Sequence, residues 1–291
     1  MAKRVFSRRV AAVAVSSGAA LVGLAAPAQA TPQPLPYVAL GDSYSAASGV
    51  LPLDPSAALL CARSTKNYPH VIAERTGATL KDVTCGGAQT KDFAGSQYPG
   101  VAPQLDALGA DTRLVTLTIG GNDNNTFIST VLSCAAAGVL TAGQGSPCKD
   151  HYGSSFADDI DTKTYPAVKA ALQAVRNKAP NARVAVLGYP WIMPAKAQTG
   201  CFVKMPIASG DVPYVRDIQT HLNSAVQRAA NETGATYVDF SQASEGHDAC
   251  QASGTRWVEP ALFGTNFVPV HPNALGESAM AERTMGALGL G

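Results

Sequence analysis

The stretch Tyr37-Val38-Ala39-Leu40-Gly41-Asp42-Ser43-Tyr44-Ser45 is an apolar run that breaks at a glycine and gives way to small polar residues. This is the pattern of a buried strand that ends in a sharp turn. In open α/β sheets ligands bind at the carboxyl ends of the strands, so the turn offers the Ser43 hydroxyl where a ligand would sit. A serine hydroxyl is a weak nucleophile unless a base takes its proton and hydrogen-bond donors receive the developing oxyanion. Gly-Asp-Ser alone is also a common strand-ending turn, so the reading rests on whether the chain supplies those partners.

Outward from this stretch, apolar strand patterns alternate with helical ones. Tyr68 to Arg75 reads as a helix stopped by Gly77, and residues 79–84 as a short alternating strand leading into Cys85-Gly86-Gly87-Ala88. Pro103 to Leu108 reads as a short helix. Leu114-Val115-Thr116-Leu117-Thr118-Ile119 is β-branched enough for a central strand, and it runs into Gly120-Gly121-Asn122-Asp123. Helical patterns cover 125–138, 160–178 and 214–233, strands 183–187 and 235–240, and a helix of small residues closes the chain to about Leu288. Residues 48–66, the Gly/Pro/Cys segment to about Ser155 and residues 242–267 read as irregular. Five strands alternating with helices specify an α/β fold with a parallel sheet covered on both faces.

The first thirty residues stand apart. Lys3, Arg4, Arg8 and Arg9 precede a small apolar run from Val10 to Ala26, and Ala28-Gln29-Ala30 is an A-x-A cleavage site. Residues 1–30 are therefore expected to be a signal peptide cleaved after Ala30, leaving residues 31–291 as one secreted, extracellular domain. Ser7-Arg8-Arg9-Val10 weakly matches a twin-arginine signal. Removing those four cations leaves 18 Lys and Arg from 22, against 21 Asp and Glu. A slightly acidic chain has no basic footprint for nucleic acid and no polybasic segment for a membrane surface. No later run is long enough for a membrane anchor.

Six cysteines, Cys61, Cys85, Cys134, Cys148, Cys201 and Cys250, form no C-x-x-C pair, so disulfides are expected and no metal site. Six cysteines allow 15 pairings. Neighbours in sequence favour Cys61 with Cys85, Cys134 with Cys148 and Cys201 with Cys250, each pair bracketing a local loop.

Four blocks carry the candidate chemistry. Ser43 offers the hydroxyl. His271, in His271-Pro272-Asn273, offers an imidazole whose ordinary pKa suits a general base. Gly87 offers an unobstructed backbone N–H and Asn122 a side-chain amide, which with the Ser43 N–H make three oxyanion donors. Taken singly, Gly87 and Asn122 read as turn or cap residues and His271 as a neighbour of a helix start.

Gly-Asp-Ser, a glycine in a Gly-rich loop, Gly-x-Asn-Asp and a histidine near the end, in that order, resemble the SGNH or GDSL hydrolase family. Six cysteines in this arrangement are similar to its secreted bacterial lipase and esterase branch. The resemblance implies a three-layer α/β/α sandwich with flavodoxin-like sheet order 2-1-3-4-5. It implies Ser43 as nucleophile, Gly87 and Asn122 as oxyanion donors and His271 as base, and it supports the sequential disulfides. Most of that family places an aspartate three residues before the histidine, where this chain has Val268. The Val268 carbonyl is the expected substitute, with Asp248, Glu245 or Glu259 as alternatives from the preceding loop.

The expectation is a monomeric, cofactor-free serine esterase acting on fatty acyl esters such as triacylglycerols. Leu51, Leu53, Trp191, Ile192, Phe202, Met205 and Ile207 are candidates for an acyl groove, or else for a loop core around the disulfides. Short-chain or carbohydrate acetyl esters and phospholipase A1 activity are alternative specificities. A binding protein that kept the fold without turnover is the alternative of another class.

Overall fold

The computed structural model describes residues 1–7, 11–12 and 34–290. Most of the expected signal peptide, including its cleavage site at 28–30, lies outside the described residues. From Pro34 onward the chain forms one unit, separate from Met1–Gln33.

Five parallel strands build the sheet: β1 (Pro36–Ala39), β2 (Thr79–Asp82), β3 (Leu114–Leu117), β4 (Arg183–Leu187) and β5 (Thr236–Val238), in the order β2-β1-β3-β4-β5. Burial follows position in the sheet. All of β3 is buried, as are four residues of β4 and three of β1, whereas the edge strands β2 and β5 alternate or open to solvent. Continuous apolar runs such as Leu114–Leu117 are what a strand covered on both faces requires.

The helices are α1 (Ser43–Ala46), α2 (Tyr68–Thr76), α3 (Thr126–Leu140), α4 (Pro147–Tyr152), α5 (Ser155–Asp159), α6 (Tyr165–Lys178), α7 (Cys201–Lys204), α8 (Val212–Thr233) and α9 (Ala274–Leu288). Pairs α6 with α8 and α2 with α9 flank the sheet. The ends carry the expected signals. Asn67 caps α2 by accepting from the His70 N–H and Asn273 caps α9 by accepting from the Gly276 N–H, while Gly77 and Gly234 end α2 and α8 in the left-handed conformation.

Three local readings change. The serine turn is itself one turn of helix, because Asp42 adopts an extended conformation and its carboxylate accepts from the Tyr44 N–H. The segment expected as loop up to residue 155 contains α4, which starts at Pro147, a residue whose fixed φ suits a first helical turn. Residues 160–164 are a wide π-type turn leading into α6 rather than its first turn. All three sequential disulfides are present: Cys61–Cys85, Cys134–Cys148 and Cys201–Cys250.

The β1–β3 ladder continues beyond the strand ends, with the Leu40 N–H donating to Thr116 O and the Asp42 N–H to Thr118 O, both at 3.0 Å. Gly41 sits in this extension with φ at +120°. A Cβ there would lie 2.4 Å from the Thr118 carbonyl oxygen. The Gln104 side chain closes on the Gly41 peptides from the other side, accepting from Gly41 N at 2.7 Å and donating to Gly41 O at 3.0 Å. Alanine at position 41 therefore has neither the space nor the backbone freedom. Gly41→Ala is expected to cost about 3 kcal/mol or more, read as a lowered urea midpoint; an unchanged midpoint would contradict this account of the turn.

Candidate active site

Ser43 is the first residue of α1 and follows directly from β1. It is buried to 8% exposure. Its hydroxyl makes no hydrogen bond among the described residues, and its N–H, one of the donors a helix start leaves unpaired, has no acceptor among them either. Asp42 holds the turn from beneath. Its Oδ1 accepts from the Tyr44 N–H at 3.0 Å and the Thr118 hydroxyl at 2.6 Å, and its Oδ2 from the Tyr189 hydroxyl at 2.5 Å. Burial pushes the Asp42 carboxyl up to about 6, against the pull of those three donors.

His271 arrives on the loop before α9. Its Nδ1 lies 2.7 Å from the Pro269 carbonyl oxygen. A carbonyl only accepts, so Nδ1 carries the proton and Nε2 is left with its lone pair. The partner is thus Pro269, not Val268 as expected from the sequence. Val270 explains the difference: its φ of +60° turns the chain so that the carbonyl two residues back, not three, meets the ring.

The alternative carboxylates are engaged elsewhere. Glu245 pairs with Arg216, and Asp248 accepts from the Cys250 N–H and the Gln251 side chain. Glu259, buried, accepts from Arg256 and the Thr265 N–H through Oε2 and from Asn273 through Oε1. Burial lowers the His271 pKa below its ordinary value, and the Pro269 carbonyl offsets part of this.

The two loops expected to carry oxyanion donors are tied to each other. Gly87 has φ at +77°, and its N–H has no acceptor among the described residues. Asn122 donates one amide hydrogen to Ala88 O at 3.1 Å, which leaves the second without an acceptor among the described residues and ties the loop after β3 to the Gly87 loop. Asp123 strengthens the tie by accepting from the Thr90 N–H and hydroxyl. The Tyr189 hydroxyl also accepts from the Gly121 N–H at 3.0 Å, joining the Asn122 loop to Asp42.

Ser43, Asn122 and His271 line one cleft, and Gly87 lies on the adjoining loop outside that lining. The apolar wall differs from the expectation. Of the seven residues considered for an acyl groove, only Ile192 lines the cleft; its other aliphatic and phenyl side chains are Val270, beside His271, and Phe127, Ile128 and Val131 from the first two turns of α3. Trp191 is buried, donates to Ser241 O and lies under the Arg216 guanidinium, and Met205 and Ile207 are buried. Phe202 packs by Gly143, Leu53 pairs with Ser64, and Leu51 is solvent-exposed. An apolar loop residue does not reveal which way it points.

Sequence reasoning also passed over Tyr44 and Tyr189, whose hydroxyls bind the site's loops together. The only signal for Tyr44 was its place next to Ser43. For the α3 wall the signal was present: Thr126–Leu140 contains no charged residue and begins three residues past the Asn122-Asp123 motif.

A buried serine, an imidazole with its Nδ1 tied to a carbonyl and N–H donors without acceptors among the described residues lie at the carboxyl edge of a 2-1-3-4-5 sheet, an arrangement suited to acyl transfer. The chain belongs to the GDSL-like lipase/acylhydrolase family, which it matches over residues 39–279, and it is a carboxylic ester hydrolase. It is 67% identical to Lipase 2 of Streptomyces coelicolor over 294 residues, covering 99% of this chain and 98% of that one. Among solved structures it is similar to a phospholipase A1 from Streptomyces albidoflavus NA297, with a TM-score of 0.72 and 28% identity over 88% of this chain and 100% of that one. An extracellular lipase from Streptomyces rimosus superimposes with a TM-score of 0.69 and 28% identity, over 87% and 99% of the two chains.

The lowered His271 pKa fixes a sign. An imidazole accepts a proton only when neutral, and burial keeps it neutral below its ordinary value, so activity should persist further into acid than a solvent-exposed histidine would allow. The acidic limb of kcat/KM is expected to have its midpoint below about 6.5. A pH–rate profile on a soluble ester checks this, and a midpoint at or above that value contradicts the burial account.

Proposed function

We propose that the protein is a secreted serine esterase of the lipase type that hydrolyses fatty acyl esters, triacylglycerols among them, through an acyl-enzyme on Ser43. His271 Nε2 takes the Ser43 proton as Oγ bonds to the ester carbonyl carbon, and the carbonyl electrons move to its oxygen. The Ser43 and Gly87 N–H groups and the Asn122 amide receive that oxygen. The tetrahedral intermediate then collapses, the bond to the alcohol oxygen breaks, and His271 returns the proton to the leaving alcohol. Water attacks the acyl-enzyme in the same way, its proton passing to Nε2, and Ser43 leaves protonated with release of the fatty acid.

The observation that carries the substrate class is the apolar wall of Phe127, Ile128, Val131 and Ile192 beside Ser43 and His271, which suits an alkyl chain and offers a sugar nothing to hydrogen-bond. The name of the Streptomyces coelicolor relative agrees with that reading. The structural likeness to a phospholipase A1 supports a second specificity, for the acyl esters of phospholipids, on the same wall. Export rests on the leader pattern of residues 1–30, on three disulfides, and on the extracellular Streptomyces rimosus neighbour. Among the described residues no helix is long and apolar enough to cross a membrane.

Hydrolysis of p-nitrophenyl esters from acetyl to palmitoyl tests chemistry and specificity together. The expected rate peaks at medium or long chains, and Ser43→Ala lowers it by at least about a thousandfold on every ester. A maximum at acetyl would assign a short-chain esterase instead. Equal rates for both proteins would overturn the serine mechanism and leave a binding role. Enlarging the wall with Val131→Trp should move the optimum to shorter chains while the acetyl rate stays within about threefold of the wild type; loss on all chain lengths alike would place the acyl group elsewhere.

A further inference from the structure

The base lacks a carboxylate, and its carbonyl partner depends on a strained turn. Val270 sits at φ +60°, a region a β-branched residue occupies only where its surroundings hold it. Both ends of this residue are held. Its N–H donates to Glu259 O at 3.1 Å, and its carbonyl accepts from the Tyr44 hydroxyl at 2.8 Å.

Tyr44 is itself well fixed. It is buried, its N–H is bound by Asp42, and its ring meets the Tyr189 ring edge-on with centroids 5.1 Å apart. Its ring centroid lies 5.3 Å from that of His271. Its hydroxyl is the one group on the nucleophile's turn that bonds the backbone of the base's loop among the described residues.

We propose that Tyr44 is the positioning residue of the Ser43–His271 pair: its hydroxyl holds Val270 in the left-handed conformation, so that the Pro269 carbonyl stays on His271 Nδ1 and Nε2 stays free to accept. This rests on the proposed role of His271 as base. Tyr44 takes on, through the backbone, the task an orienting aspartate performs by direct contact. Because it is the residue after Ser43, it also fixes the base's loop to the turn that carries the nucleophile. A shift of either turn then moves both groups together.

The test is Tyr44→Phe, which keeps the ring and removes only the hydroxyl. On a soluble short-chain ester, kcat should fall by about tenfold or more with KM within about twofold of the wild type, since a misaligned base affects the transition state rather than binding. In resting protein labelled with 15N-histidine, the His271 ring, assigned by its loss in His271→Gln, should be the Nδ1–H tautomer in the wild type and a mixture in Tyr44→Phe. Glycine adopts φ +60° without cost. Tyr44→Phe combined with Val270→Gly should therefore regain the Nδ1–H tautomer and most of kcat.

A folded Tyr44→Phe protein with wild-type kcat and an unaltered tautomer overturns the proposal. So does a loss of kcat with the tautomer unaltered, which would make the hydroxyl a packing group only. Should Tyr44→Phe not fold, the double variant carries the test, and a mixed tautomer in it overturns the proposal. The tautomer is read without turnover, so failure of the underlying mechanism shows separately, as wild-type hydrolysis by His271→Gln.

Discussion

The buried carboxylate of Asp42 is the constraint on which the site depends. Placing a carboxylate at 1% exposure costs several kcal/mol unless donors replace its water. The three donors come from three segments: the Tyr44 N–H from the serine turn, the Thr118 hydroxyl from the end of the β3 pairing, and the Tyr189 hydroxyl from the loop after β4. None of the three segments can move away without uncovering charge. Tyr189 extends the effect by accepting from the Gly121 N–H, next to Asn122. One buried charge thus sets the serine turn and the Asn122 loop in a common frame, at the expense of a carboxyl whose pKa has risen to about 6.

The proposed base, His271, is held differently, by backbone. The carboxylates near it in sequence are fixed to other groups, and Glu259 shows why their absence from the ring is not a defect. Its side chain is saturated by Arg256, Thr265 and Asn273, while its main chain pairs with the base's loop, N–H to His271 O at 2.9 Å and carbonyl from the Val270 N–H. It holds the peptide that carries the imidazole rather than the imidazole. A neutral carbonyl fixes the tautomer but does little to stabilise the imidazolium formed during attack. In the proposed mechanism more of the work then falls on the oxyanion donors, which agrees with the N–H groups of Ser43 and Gly87 having no acceptor among the described residues and with the cross-links that steady the Asn122 loop.

Much of this frame was legible in the sequence, for identifiable reasons. Leu114–Leu117 and Val184–Leu187 are continuous apolar strands that only a sheet covered on both faces accommodates, and glycines and capping asparagines mark α2, α8 and α9. The strand order was not legible from periodicity; it came with the family resemblance. Ser43, Asn122 and His271 were legible because each sits in a short motif at a strand end or helix start. Pro269 was not, because nothing in Phe267-Val268-Pro269-Val270 announces that a valine takes the left-handed conformation. Glycine or asparagine would have signalled such a turn. Tyr44 and Tyr189 act through hydroxyls that reach 226 residues along the chain in one case and 147 in the other. Local pattern carries no information about contacts of that range.

The acyl wall shows how loop and helix differ in what they reveal. Trp191, Phe202, Met205 and Ile207 are apolar residues of a segment that reads as irregular in sequence, and in the fold Trp191, Met205 and Ile207 are buried away from the cleft lining. On α3 the direction is fixed by the helix: Phe127, Ile128 and Val131 share a face by spacing, within its first two turns. That start, Thr126, is four residues from Asn122, so the wall and the proposed oxyanion donor belong to one short piece of chain. Each methylene an acyl chain buries on this wall is worth about 0.8 kcal/mol. On the proposed reading, the binding energy of the unreactive end of the substrate is gained on the segment that carries Asn122. Such energy can hold the ester carbonyl against its donors and raise turnover as well as affinity.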